Sequence, residues 1–162
     1  MLADGDQQEA LSCGTCRANR GELAAPGGVI YQDALWRLEH VIEPLPLAGW
    51  LVLKPLRHVE AFADLTADEA ATFGPLVRRV TAAMTDALHP AKVYLCQFSE
   101  ARGFAHIHFH LIPRFAETPP ERRGPDVFTL LSEASREGRN LVPVEAAERA
   151  AAAIRERLHA AP

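Results

Sequence analysis

Residues 106–113 read HIHFHLIP. His106, His108 and His110 take every second position, and Ile107, Phe109, Leu111 and Ile112 between and after them are apolar. Strand side chains alternate between two faces, so the pattern predicts a strand over Ala105–Ile112. Three imidazoles then share one face, and Ala105, Ile107, Phe109 and Leu111 share the other. A lone histidine on a strand is ordinarily a satisfied core or surface ring. Packing does not ask for three in a row, so the row points to metal, anion binding or catalysis. Two chemistries fit: alternate histidines can present ring nitrogens to zinc, or a neutral imidazole can attack an electrophilic phosphorus while its neighbours hold and protonate the phosphate oxygens.

The apolar face of this strand needs a partner, and the clearest helix supplies one. Thr66 followed by Glu69 is a capping box, in which each side chain can satisfy a free N–H at the helix start. Phe73, Val77, Val80, Met84 and Leu88 recur at helical spacing, and the helix ends at His89–Pro90. Strands are expected at 29–31, 35–40, 50–53 and 92–98, with EARG (100–103) short enough for a hairpin into the histidine strand. Further helices are expected over 126–137, stopped by Gly138, and 145–158. Strands, helix, strands, helices in that order give an α+β fold with an antiparallel sheet.

Composition sets the outer limits. At 162 residues one domain is the default, and 48% hydrophobic content suits a packed core. A net charge of −4 implies no broad electropositive field, so nonspecific binding to nucleic acid or anionic membrane is not expected. No apolar run approaches the ~20 residues that span a bilayer. The acidic start MLADGDQQEA does not read as a signal peptide, and a cytoplasmic protein is expected. Residues 1–10 read as a tail, 11–115 as the main domain, and 116–162 as a loop and helices packed on it.

The chain has three cysteines, an odd number that argues against a disulfide framework. Cys96, in VYLCQF, reads as a buried small apolar residue. Cys13 and Cys16 form a C-x-x-C, which supplies half of a tetrahedral zinc site. Otherwise such a pair is redox-active or chance, but the strand-to-helix setting of a thioredoxin motif is missing. No second C-x-x-C or H-x-x-x-H follows, so the remaining ligands must come from elsewhere, and His58 and His106 are the candidates. A site with four protein ligands is structural. It would pin the N-terminal knuckle to the sheet and leave His108 and His110 for chemistry.

HIHFHLI matches the histidine-triad (HIT) signature, His-φ-His-φ-His-φ-φ with φ apolar, at every position. LVLKPLRHV (51–59) resembles the family strand ending in Pro-x-x-His, and LIPR (111–114) the usual tail of the triad. The resemblance spans roughly residues 13–115. It implies a HIT-like sheet of about five strands with a long helix on one face. In zinc-containing members the metal is held by a C-x-x-C, the Pro-x-x-His histidine and the first triad histidine, here Cys13, Cys16, His58 and His106. The family's members are nucleotide hydrolases and nucleotidyl transferases acting at an α-phosphate. By that resemblance His108 would be the nucleophile, forming a nucleotidyl-histidine intermediate, and His110 would contact the phosphate oxygens. The carbonyl near His106 would fix the tautomer of His108. Gln97 resembles the glutamine that touches the bridging or leaving oxygen. A homodimer paired through the helix and strand beside the site is also implied.

Three departures bear on substrate. ARGF (101–104) stands where many members carry Gly-Gln-Ser/Thr, so Arg102 could offer a guanidinium to a phosphate chain or be a solvated turn residue. Trp50 replaces the histidine of a usual Gly-His. The acidic residue that binds ribose hydroxyls has no counterpart in register, although Glu39 and Glu43 are near. Two other readings fit the residues: a metal-dependent hydrolase with the triad as ligands, and a non-catalytic nucleotide-binding protein.

Overall fold

Five strands build one antiparallel sheet in the computed structural model, which describes residues 12–160. The tail expected over residues 1–10 lies outside the described residues. The strands are β1 (Val29–Gln32), β2 (Trp36–His40), β3 (Leu51–Pro55), β4 (Lys92–Gln97) and β5 (Phe109–Arg114), in the spatial order β1-β2-β3-β5-β4. Asp33 organises the first turn: its carboxylate accepts from the N–H groups of Leu35 and Trp36 at 2.8 and 2.7 Å. Two short helices of the N-terminal and C-terminal segments, α1 (Gly14–Asn19) and α3 (Phe128–Glu137), and two longer ones, α2 (Ala67–Leu88) and α4 (Val144–Ala160), complete the fold.

The capping box forms as the sequence requires. Thr66 Oγ1 accepts from Glu69 N at 3.2 Å, and Glu69 Oε2 accepts from Thr66 N at 2.7 Å. His89 ends α2 in the left-handed conformation, φ 51°, just before Pro90. The buried stripe of α2 is Glu69, Leu76, Val80, Ala83 and Met84, flanked by half-buried Phe73, Val77 and Leu88. It packs on Ile107, Phe109 and Leu111, the apolar face expected of the histidine strand. Burying each large aliphatic here contributes roughly 1.5–3 kcal/mol. Helix α4 lies beside α2 and adds Ala151, Ile154 and Leu158 to the same core.

The other face of the sheet has its own cover. Val127 and Leu130, from the turn before α3 and from α3 itself, join Val41, Leu45, Trp50, Ile112 and Ala147 in a second apolar cluster. Gly138, at φ 61°, closes α3 where the sequence places the stop. This cover reaches only part of that face. The remainder, where Glu39, Val52 and His110 lie in one row across β2, β3 and β5, stays open as a cleft.

Two strand expectations change. The β5 ladder begins at Phe109, not Ala105: β4 ends at Gln97 opposite Phe109, and Lys54 and Pro55 of β3 pair only with β2. Residues 106–108 run alongside the loops instead: Ile107 N donates to Val59 O at 2.7 Å, and His108 N to Ser99 Oγ at 3.0 Å. The connection from β4 is therefore longer than a hairpin turn. Cys96 is half-buried rather than buried, because β4 is an edge strand.

Candidate functional site

The C-x-x-C lies on α1, and α1 is docked against the sheet end. Gly14 N donates to Gly103 O at 2.7 Å, and Asn19 Nδ2 donates to Pro55 O at 2.9 Å. Gly14 has no room for a side chain: a Cβ there would sit 2.3 Å from Cε1 of Phe104. This docking brings Cys13 and Cys16 to His58, which follows β3, and to His106, which precedes β5.

One ligand atom from each of Cys13, Cys16, His58 and His106 falls within 4.8 Å of all the others. Cys16 Sγ is 3.3 Å from both His58 Nδ1 and His106 Nδ1. His106 Nε2 donates to Pro55 O at 3.1 Å, which fixes its proton on Nε2 and leaves Nδ1 with its lone pair toward the sulfurs. The Glu60 carboxylate lies 3.4 Å from His58 Nε2. A carbonyl or carboxylate behind each ligating ring is the usual outer support of a metal site. Burial and the neighbouring Cys13 push the Cys16 thiol up to about 12, so two adjacent buried thiolates call for a cation. The cluster could therefore hold a metal ion, and a Cys₂His₂ donor set fits zinc.

His108 and His110 take no part in that cluster. His108 Nδ1 lies 2.8 Å from the His106 carbonyl, which can only accept, so the ring carries its proton on Nδ1 and Nε2 is free. Ser99, at φ 55°, presents its Oγ 3.3 Å from the same Nδ1 and receives an N–H from Gln97 Nε2 at 3.0 Å. His110 Nδ1 accepts from Trp50 Nε1 at 2.9 Å. Its ring meets Trp50 and Phe128 edge-on, with centroids 5.8 and 5.4 Å away. Burial, then His108, pushes His110 down to about 3, and burial likewise lowers His108, so both rings are neutral at pH 7.

The two rings line a cleft enclosing about 470 Å³, part of it open to solvent. Val41, Ile42, Val52 and Phe104 give it apolar walls, and Glu39 and Lys54 lie on its floor. Two expected contacts are elsewhere. Gln97 pairs with Phe109 and so shares the helix-covered face, reaching Ser99 and not the cleft. Arg102 is exposed in the loop before His106 and does not line the cleft.

Trp50, Ser99, Phe128 and the Glu39–Lys54 pair were not predicted for these places. Trp50 stood out in the sequence only as a replaced histidine. The others carry no local pattern, since strand register and the C-terminal cover bring them to the site.

The HIT domain model matches residues 22–117, more than half of the chain. Such a match, on this sheet and with the triad intact, makes the chain a member of the HIT domain family. No curated protein matches it. Among solved structures, a zinc-bound histidine triad family protein from Mycobacterium smegmatis is similar at 20% identity and TM-score 0.66, covering 94% of this chain and 99% of that one. A hypothetical histidine triad nucleotide-binding protein from Sulfolobus tokodaii is 20% identical, TM-score 0.67, over 91% of this chain and 93% of that one. A Hit-like protein from Bartonella henselae described as involved in cell-cycle regulation is 20% identical, TM-score 0.63, over 90% and 95%. At this identity the likeness concerns the fold. Among the described residues no helix is long and apolar enough to cross a membrane.

Proposed function

We propose that the protein is a nucleotide phosphohydrolase or nucleotidyl transferase that works through a nucleotidyl-histidine intermediate on His108. The observation that carries this is the His108 ring itself: neutral, its Nδ1 proton held by the His106 carbonyl, its Nε2 lone pair free beside the cleft. In the first step Nε2 forms a bond to the α-phosphorus and the bond from phosphorus to the leaving group breaks. The leaving group departs with the electron pair and takes a proton from solvent, while His108, still protonated on Nδ1, becomes a phosphorylated imidazolium. In the second, water, which gives up a proton to solvent, or an acceptor phosphate attacks phosphorus, the N–P bond breaks, and its electrons return to Nε2. His110 donates its Nε2–H to a non-bridging oxygen as charge grows there. Gln97 acts at one remove, through Ser99, and exposed Arg102 is within the reach only of an extended leaving group.

Cys13, Cys16, His58 and His106 would hold zinc, which would supply positive charge to two thiolates and tie α1 to the sheet. The zinc-bound relative from M. smegmatis supports that choice of metal, and the nucleotide-binding description of the S. tokodaii protein supports the ligand class. The division of the triad favours this reading over a metallohydrolase, since only His106 joins the cluster. A homodimer, as the family resemblance implies, and a cytoplasmic location belong to the same proposal.

The test is hydrolysis of adenosine dinucleoside polyphosphates and adenosine phosphoramidates by wild type and by His108→Ala. Turnover by wild type that vanishes in the variant is expected. Activity that survives the substitution would sink the nucleophile assignment.

A further inference from the structure

Two charged side chains in the cleft have no part in the displacement. Glu39 on β2 is 2% exposed and Lys54 on β3 is 4% exposed, yet both line the same cleft as His108 and His110. Lys54 Nζ donates to Glu39 Oε2 at 2.7 Å, and Arg37 Nε donates to Glu39 Oε1 at 2.8 Å. The register sets Glu39 opposite Val52 and Val52 opposite His110. Glu39 is therefore two strands away from His110, roughly 10 Å along the sheet. A nucleoside whose phosphorus is at His108 is long enough to reach that far.

A buried ion pair is by itself weak evidence of a stabilising role. Replacing a buried ion pair by apolar groups of similar volume is often neutral or stabilising. Its position does suit a ligand. The aliphatic walls of the cleft fit the faces of a flat ring, and the floor meets the ring's edge. An ammonium has three donors, and Glu39 engages one of those of Lys54. A carboxylate has about four acceptor positions; Arg37 takes two on Oε1, through Nε and Nη2, and Lys54 takes one on Oε2, which leaves Glu39 one for a ligand.

We infer that the Glu39–Lys54 pair is a base-reading site, selecting nucleotides whose base edge carries an N–H donor beside an acceptor. The inference rests on the nucleotide reading above and extends it to the base. A 6-oxopurine such as guanine fits the pair most fully, with its ring N–H toward the remaining acceptor position of Glu39 and its oxo group toward Lys54. A purine without exocyclic groups fits least, because its edge offers ring nitrogens to Lys54 but no N–H to Glu39.

The experiment compares kcat/KM for the 5′-phosphoramidates of guanosine, adenosine and unsubstituted purine riboside. The enzymes are wild type, Lys54→Met, and the double variant Glu39→Gln/Lys54→Met, which leaves neither member of the pair charged and alone. Wild type is expected to favour guanosine over the unsubstituted purine by roughly tenfold or more. In the variants the ratio is expected to fall within about threefold. Should Lys54→Met alone melt below the assay temperature, the double variant carries the comparison. A wild-type ratio near one, or a ratio that the folded variants keep, overturns the inference. Calorimetric binding of the three 5′-monophosphates to wild type separates this from nucleotidyl transfer. The same order of affinities without turnover supports base reading and removes the transfer step, whereas turnover without discrimination removes base reading alone.

Discussion

Trp50 Nε1 donates a hydrogen bond to His110 Nδ1 at 2.9 Å, between two buried rings on β5 and at the start of β3. An indole N–H can only donate, so the histidine nitrogen facing it must be the acceptor. Neutral His110 is thereby held as the Nε2–H tautomer, the form that can donate toward a phosphate oxygen. The residue that departs from the family pattern at this position thus acts as a positioning residue.

Trp50→Phe keeps an aromatic ring and removes the donor. We expect kcat on a phosphoramidate substrate to fall roughly tenfold, with KM changing less. Trp50→His, whose ring can donate, should recover most of the loss. The ¹⁵N shifts of His110 should show a single Nε2–H tautomer in wild type and a mixture in Trp50→Phe. An unchanged tautomer would reduce the bond to packing.

The four-residue cluster predicts one zinc per chain in the protein as purified. Cys13→Ser should lose the metal and lower the melting temperature by roughly 10 °C, as a loss of a few kcal/mol does for a chain this size. Metal analysis beside thermal melts checks both, and an intact wild type without zinc would refute the assignment.

Gly14→Ala tests the docking of α1. The new Cβ would meet the Phe104 ring at 2.3 Å, and Phe104 is itself a wall of the cleft. Such overpacking should cost about 1–3 kcal/mol in urea unfolding. Zinc should leave more readily to a chelator, since the helix carrying both cysteines must shift.

Acid should weaken the fold through His110. Burial lowers its pKa from 6.5 to about 3. Between these values the unfolded chain binds a proton that the native state does not, so stability is complete above 6.5 and declines as pH falls toward 3. The slope from this group is at most about 1.4 kcal/mol per pH unit. His40 and His108, also lowered by burial, act in the same direction. Urea midpoints at pH 7 and pH 5 should therefore differ less for His110→Phe than for wild type.

What could be read from the chain was local in origin. The period-two histidines, the Thr66–Glu69 box and the C-x-x-C are each contained in a few residues; the box forms as expected, whereas of the three histidines only His110 lies on β5. The Cys13, Cys16, His58 and His106 cluster needed one further step, from C-x-x-C to two histidines well along the chain. What escaped depends on which strand lies beside which. The strand start at Phe109 is set by the end of β4 at Gln97, opposite it. Glu39 meets Lys54 only because β2 and β3 pair in one register, and Ser99 meets His108 only because the 98–108 connection folds back. Leu76 and Ala83 complete the α2 stripe between the larger residues that mark its periodicity.

Phe128 stands at the head of α3, beyond residue 117 where the shared domain ends, yet it leans edge-on against His110, Trp50 and Phe98. One wall around the third histidine is therefore lent by an appendage. The shared domain carries the rings, while the segment after it supplies an aromatic wall to one of them. A descendant could exchange that wall without altering a letter of the triad.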